Sequence, residues 1–175
     1  MTWVIDPFHT LVEFSVVHLK INRVKGRFNE VRGSMHLDFQ RPELSWVKAQ
    51  INAASIYTGV AARDNHLRSA DFFEVATYPT IIFESTEVQQ TGTNSGVVAG
   101  ELTLHGITRI VSFQTQFGGS TQDPDTGNRR IGFSAVSVID RRMFNMHFSH
   151  ILEGNIAFVA NEAHIELNLE AVQMD

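Results

Sequence analysis

Val31-Arg32-Gly33-Ser34-Met35-His36-Leu37-Asp38-Phe39 sets Val31, Met35, Leu37 and Phe39 at odd positions and Arg32, Ser34, His36 and Asp38 at even ones. Successive side chains of a strand point to opposite faces, so this period of two reads as a strand with one dry and one wet face. The pattern recurs downstream. Val47, Ala49, Ile51 and Ala53 oppose Lys48, Gln50 and Asn52; Val111, Phe113 and Phe117 oppose Ser112, Gln114 and Gln116; Ile165, Leu167 and Leu169 oppose His164, Glu166, Asn168 and Glu170. Strands of a parallel sheet are covered on both faces and read as unbroken apolar runs, so the one-sided pattern indicates an antiparallel sheet. Thirteen Phe against four Pro, with frequent Val, Ile and Thr, also favour pleated surface over helix.

Turn chemistry falls between the apolar-faced runs. Thr91-Gly92-Thr93-Asn94-Ser95-Gly96 separates a strand around Ile81 to Val88 from one around Val97 to Leu104. Gly118-Gly119-Ser120 through Asp123-Pro124-Asp125-Thr126-Gly127-Asn128 separates the next two, Gly and Asn supplying positive φ and local side-chain bonds. Asp123-x-Asp125-x-Gly127 lacks the closing Glu and flanking helices of a calcium loop and reads as part of that hairpin turn. The count is about eight short strands, and closing them into a barrel removes the exposed edges that an open sheet would present. One segment breaks the pattern: Arg63-Asp64-Asn65-His66-Leu67-Arg68-Ser69-Ala70-Asp71-Phe72-Phe73 is charged and helical in character. A short helical insertion around residues 60–73 is expected there, placed as a lid or mouth element, with Phe72 and Phe73 anchoring it.

Composition narrows the function. A chain of 175 residues fits a single domain, 1–175, large enough to bury a core without staples. The absence of cysteine removes disulfides, thiolate nucleophiles and thiolate metal sites. A net charge of -5 with scattered basic residues lacks the footprint of a nucleic-acid binder. No basic leader, apolar h-region or run near the ~18 apolar residues of a membrane span occurs, so the chain reads as soluble and cytoplasmic. No nucleophile elbow, P-loop, dinucleotide fingerprint or H-E-x-x-H occurs either, so neither a catalytic residue nor a cofactor is assigned. Of eight histidines, His147 and His150 fall close together; on a strand that spacing points them to opposite faces, and no metal site is assigned. His9 and His105 read as strand-end residues bonded to backbone.

The order of several motifs carries a resemblance. Trp3-Val4-Ile5-Asp6-Pro7-Phe8-His9-Thr10, Phe14-Ser15-Val16 with His18, and Gly26-Arg27-Phe28 open the chain. Ser55-Ile56 with Thr58, the segment Arg63 to Phe73, Tyr78-Pro79, Ile82-Phe83, Gly100-Glu101-Leu102-Thr103-Leu104-His105-Gly106-Ile107-Thr108-Arg109 and Gly132-Phe133 follow in turn. Over nearly its whole length the chain resembles the YceI-like family of polyisoprenoid-binding proteins. It departs at Arg141-Arg142-Met143-Phe144-Asn145, where the family has Arg-x-x-Phe-Gly, and at Asn161, where an acidic residue usually precedes Glu162. Asn adopts left-handed conformations more readily than most residues, so a turn at Asn145 is compatible with the change.

The resemblance implies an all-β, lipocalin-like antiparallel eight-stranded barrel, often dimeric, that holds a long-chain isoprenoid such as a polyprenyl phosphate, pyrophosphate or quinone for storage, transport or protection. An eight-stranded barrel is wide enough either to fill with side chains or to enclose one slender ligand. Alanines at 49, 53 and 135 leave room and the phenylalanines take it up, so the inner face fits a tunnel or an interlocked core. On the tunnel reading the tail is lined from the first half of the chain by Phe14, Val16, Met35, Leu37, Phe39, Ile51, Ala53, Ile81 and Phe83. Leu102, Leu104, Val111, Phe113, Phe133, Ala135, Ile165 and Leu167 line it from the second half. Arg63, His66, Arg68 and His18 are the groups for a polar head, because guanidinium forks and imidazole N–H groups suit phosphate oxygens. The alternative for the arginines is structural, Arg63 with Asp64 and Arg68 with Asp71 bracing the helix. Two rival functions remain: an enzyme using the same cavity through His18, Ser55 or His66, and a solid barrel acting through its surface.

Overall fold

The structure is a computed structural model that describes residues 1–152 and 156–174. In chain order its elements are Thr2–Ile5 (β1), Leu11–His18 (β2), Asn22–Phe28 (β3), Val31–His36 (β4), Trp46–Asn52 (β5), Ile56–Tyr57 (β6), the helix Ala61–Arg68 (α1), Thr80–Gln90 (β7), Ser95–Leu104 (β8), Ile107–Gln122 (β9), Arg129–Asp140 (β10), Ile151–Leu152 (β11), Ile156–Ala157 (β12) and Val159–Gln173 (β13). Single turns of 3-10 helix occupy Pro42–Leu44, Ala53–Ser55 and Arg141–Phe144.

Eight staves close an antiparallel barrel. β1 and β2 lie end to end along one edge of β13, with Trp3 opposite Gln173 and Leu11 opposite Asn168. β3 and β4 form the second stave against them, and β5 with β6 the third. β7, β8, β9 and β10 then meander back to the other edge of β13. Each stave is antiparallel to its neighbours, as the one-sided alternation requires, and the pairing of β1 and β2 with β13 closes the ring, leaving the outer edge of the two-residue β6 and the separate β11–β12 hairpin outside it.

The connections sort onto two ends. The loops 37–45, 91–94 and 123–128 and both chain termini lie at what we term the hairpin end. The turns 19–21 and 105–106, the segment 58–79 carrying α1, and the segment 141–158 lie at the helix end. Core clusters pack toward each: Trp3, Ile5, Met35, Ile131 and Ala171 at the hairpin end, and Phe28, Ile56, Ile81, Leu104, Phe144 and Met146 at the helix end.

Three local expectations are corrected. Gly118-Gly119-Ser120 does not begin the hairpin loop but lies inside β9; the register of β9 against β10 shifts near Gly132, and Gly119, at φ 126°, takes a conformation open to glycine, so the irregularity is absorbed as a bulge. The helix ends at Arg68, short of Phe73, with turns carrying the chain onward. His147 and His150 lie in an irregular stretch and not on a strand. Asn145, at φ 57° and ψ 28°, is left-handed as its side chain allows, and ends the 3-10 turn that the family's glycine would end.

Candidate ligand lumen and its two mouths

The inner faces of the staves do not meet. A cavity of about 940 Å³ runs between the two ends, near the top of the ~300–1,000 Å³ range of small-molecule sites. Its wall is apolar along the staves, so the barrel interior is a lumen and the interlocked-core reading is set aside. Of the expected tail residues, Phe14, Val16, Met35, Leu37, Phe39, Ile51, Ile81 and Phe83 line it, as do Leu102, Leu104, Phe113, Phe133, Ala135, Ile165 and Leu167. Two do not. Ala53, at the 3-10 turn after β5, is packed into the helix-end core, and Val111 packs against that same cluster from within the wall. Phe83 and Phe113 meet edge to face at 5.3 Å, so these rings brace each other and narrow the lumen without closing it.

The hairpin-end mouth is bordered by Asp38, Phe39, Ser45, Trp46, Gln90, Thr93 and Asn94. Asp38 is its ionisable group; main-chain N–H groups of Arg41 and Gln40 hold its carboxyl below the usual value. The helix-end mouth is different in kind, bordered by His18, Thr58, Arg63, His66, Arg141, Phe148 and Phe158.

How the chain places these groups decides what they can do. Arg63 lies one helical position before Asp64, yet the two do not pair. Both turn to Thr58: Arg63 Nε donates to Thr58 Oγ1 at 2.7 Å and Nη2 to the Thr58 carbonyl at 2.8 Å, while buried Asp64 accepts from the Thr58 N–H and hydroxyl. Arg63 therefore faces the lumen as a cation with no carboxylate within ion-pair distance among the described residues. Arg68 does not reach the lumen. Its Nε and Nη2 donate to the carbonyls of Ala54 and Ile56 at 2.8 and 2.9 Å, tying α1 to the third stave, and its expected partner Asp71 bonds instead to His66 Nε2 at 2.8 Å. The structural alternative holds for Arg68 in outcome but through backbone, not through acid. His66 sits edge-on to Phe72 and Phe148, and His18 edge-on to Phe158 at 4.7 Å. Phe72 is buried and Phe73 packs edge-on against Phe28 at 5.6 Å, so both anchor the segment as expected.

Arg141 is the site residue that sequence reasoning missed. It is 6% exposed, lines the lumen, and donates to three main-chain carbonyls: Nη1 to Met146 at 2.8 Å, Nε to Ala160 at 3.0 Å and Nη2 to Val159 at 3.4 Å. Burial pulls its pKa below the ordinary guanidinium value, with Asp140 opposing, and it remains a cation at neutral pH. Asp140 itself is engaged by Arg142 at 2.6 Å. The signal was the Arg-x-x-Phe motif, but a motif in a stretch without periodicity carries no direction for a side chain. Ser55 points away from the lumen into local bonds, donating to the Asn52 carbonyl and accepting from Glu30 N–H, which removes it from the enzymatic alternative.

A second titratable cluster lies outside the lumen. Arg130 bridges Asp6, Asp123 and Glu170 at 2.6–2.7 Å, and His9 adds a 2.9 Å contact to Asp6, so His9 pairs with a carboxylate rather than with backbone. Asp6, His9 and Glu170 have the spacing of a metal triad, but the Arg130 guanidinium already sits against both carboxylates. His105 keeps its expected backbone bond, Nδ1 to the Phe144 carbonyl at 2.9 Å, and Gly106 at φ 72° lets the turn pass beneath the Tyr78 ring. Among the described residues no helix is long and apolar enough to cross a membrane.

The model of the YceI-like domain family matches residues 3–171, which includes every stave of this barrel. The chain belongs to the YceI-like family. A UPF0312 protein of Pseudomonas putida strain F1 is 36% identical over 138 residues, 79% of this chain and 71% of the relative. The fold matches that of BcnA from Burkholderia cenocepacia, with a TM-score of 0.83 at 21% identity over 95% of this chain and 98% of that one. It also matches a polyisoprenoid binding domain from Saccharophagus degradans implicated in plant cell wall breakdown, with a TM-score of 0.70 at 14% identity over 98% of both chains.

Proposed function

We propose that this YceI-like barrel holds one long-chain isoprenoid in its lumen, tail along the staves and polar head at the helix end, for storage, transport or protection. One observation carries the reading: the apolar lumen runs the length of the barrel, and among the described residues that line it the cations without a carboxylate at ion-pair distance, Arg63 and Arg141, stand at the helix-end mouth. A hydrocarbon tail gains ~0.8 kcal/mol per buried CH₂ whatever its detail, so the lumen supplies affinity and the mouth supplies choice. Arg63, Arg141, His66 and His18 suit a phosphate, pyrophosphate or quinone oxygen there, whereas among the described residues lining the other mouth the charged group is Asp38, already beside Arg41. The polyisoprenoid-binding neighbour of the same fold supports the same ligand class.

Native mass spectrometry of the purified protein, followed by organic extraction, tests this directly. A stoichiometric isoprenoid establishes it; a lipid-free protein that also fails to take up polyprenyl phosphates or quinones refutes it. A homodimer belongs to the same reading. On the outer wall Ile110, Val136 and Val138 are exposed, with Glu13, Glu166, Arg23 and Lys25 along the same groove, a mix of signs that a two-fold contact can pair with itself. Light scattering of an Ile110→Asp variant, expected as a monomer, checks it.

A further inference from the structure

The turn joining β2 to β3 is built against the preferences of its residues. Leu19 and Lys20 both take left-handed φ, 52° and 60°, in a tight turn closed by Ile21 N–H to the His18 carbonyl at 3.1 Å. Asn and Gly usually fill such positions. The turn is also held from outside, since Leu19 N–H donates to the Phe158 carbonyl at 3.2 Å. Its effect is to present Ile21 83% exposed with Lys20 exposed beside it. Val60, just before α1, and Phe158, at the lumen mouth, are 48% and 38% exposed at the same end of the barrel.

Apolar exposure alone does not select a partner, because Phe39, Leu44 and Trp46 are exposed at the hairpin end too. Charge separates the two ends. The same end carries Lys20 and Arg63, neither within ion-pair distance of a carboxylate among the described residues, together with His18. Of the acids at that end, Asp64 is buried on Thr58, Asp71 is taken by His66, Glu74 lies 3.5 Å from His105, Asp140 is engaged by Arg142, and Glu162 stands exposed near the start of β13. At the hairpin end the exposed apolar residues keep company with Glu43 and Asp125 and with Arg129, while Asp38 is beside Arg41 and Asp123 is held by Arg130. A chain of net charge -5 has thus left one mouth basic and apolar-tipped.

We propose that this helix-end mouth docks on an anionic lipid bilayer, Ile21, Val60 and Phe158 entering the interface while Lys20 and Arg63 meet lipid phosphates. The inference rests on the lumen reading for its purpose: a lipid drawn from the bilayer enters tail first, and its head stops at the mouth without crossing the apolar lumen. Juxtaposed basic and apolar groups are the pairing that interfacial binding uses.

The test is cosedimentation of the full chain with phosphatidylcholine vesicles with and without phosphatidylglycerol. Binding is expected only with phosphatidylglycerol, falling as salt screens it. Lys20→Glu should weaken it at least about fivefold and Ile21→Asp about tenfold or more, while Leu44→Asp at the opposite end leaves it unchanged. Residues 20, 21 and 44 do not line the lumen, so unchanged thermal melts and unchanged lipid content by native mass spectrometry show that fold and cargo survive. Failure of the wild type to bind either vesicle overturns the proposal, as does loss of binding in Leu44→Asp with retention in Ile21→Asp. Vesicle binding that depends on Ile21 in a protein with an empty lumen would sustain the docking face and sink the carrier reading.

Discussion

Replacing Ala135 by Phe places a ring across the middle of the lumen. Ala135 lies midway along β10, beside Thr115 of β9 and Leu167 of β13, and all three line the cavity. The added ring enters open space rather than packed core, so the stability cost should stay at or below the ~1–3 kcal/mol of overpacking. Its effect on binding is larger. If the plug denies the tail about three isoprene units, roughly fifteen carbons at ~0.3 kcal/mol each, affinity for a long isoprenoid falls by about 4–5 kcal/mol, on the order of 10³-fold. The full transfer value of ~0.8 kcal/mol per carbon would give a larger loss, but ligands of this size do not realise it. Titration of delipidated protein with isoprenoid phosphates of increasing length, read by native mass spectrometry, separates the cases. Wild-type affinity should climb with each added unit until the lumen is full, and Ala135→Phe should follow it for short chains and then level off. A variant with the wild-type length dependence throughout would refute a tail lying along the staves.

Head and brace should separate in the same titrations. Arg63→Met is expected to weaken a polyprenyl phosphate by about tenfold or more while leaving a neutral chain of equal length unaffected. Arg68→Met should leave that preference intact and cost about 2 kcal/mol, roughly 4–8 °C in Tm, through the unpaired carbonyls of Ala54 and Ile56. Asn145→Ala should cost ~1–2 kcal/mol by urea unfolding, because the left-handed turn is retained without a residue suited to it, whereas Asn145→Gly should not destabilise. The Arg130 cluster makes a pH signature. Burial pushes the Asp6 carboxyl up, but hydrogen bonds from Arg130, His9 and the Phe8 N–H outweigh it and hold it at about 2; Arg130 and the N–H groups of Asp125 and Thr126 hold Asp123 at about 2 as well. Both carboxyls are depressed in the folded state, so their contribution is complete above the ordinary 3.8 and is lost as pH falls toward about 2. His9, raised by its hydrogen bond to Asp6, acts in the opposite sense, stabilising below its ordinary 6.5 and losing that contribution as pH rises through its folded value. Thermal melts across the acid range should show a shallower fall for Arg130→Met than for wild type; an equal slope would remove the cluster as its cause.

What the sequence could reveal depended on whether the information was periodic. Val31 to Phe39 and Ile165 to Leu169 carry their inward faces in alternate letters, so strand type, antiparallel pairing and most of the lumen wall were legible from spacing alone. Ala53 and Val111 kept the right period but fell where a 3-10 turn and local packing took them out of the lumen wall, which alternation does not encode. The eightfold closure was legible as a count, although the staves are pieced from shorter segments such as β1 with β2, whose junction at Asp6 to Thr10 breaks the period. Whether the interior was open lay beyond the pattern, because mixed Ala and Phe suit both a tunnel and a solid core. Charged residues were harder still. Arg63 and Arg68 are five positions apart on one short helix and look equivalent in the sequence, yet Thr58 turns one toward the lumen while the carbonyls of Ala54 and Ile56 turn the other into the wall. Arg141 was hidden because its partners at 146, 159 and 160 are carbonyls, which every residue type supplies equally.

The size of the lumen constrains its contents independently of any family. Left empty, an apolar lumen of about 940 Å³ forfeits packing contacts all along its wall. A wall of Val, Leu, Ile and Phe offers water few hydrogen-bond partners, so filling with solvent leaves most of those waters underbonded. An apolar chain resolves both difficulties, replacing missing packing contacts without asking for polar ones. Small residues such as Ala49, Ala135 and Ala163 on inward positions would be poor choices for a solid core and are consistent ones for a lumen that is completed by its ligand. The isolated cations at the helix end fit the same account. A buried guanidinium such as Arg141 costs desolvation that three carbonyls only partly return, and a bound anionic head would return more of it. On the proposed reading the apolar lumen and the helix-end cations are two parts of one site, both filled by a single molecule with a long hydrocarbon tail and an anionic end.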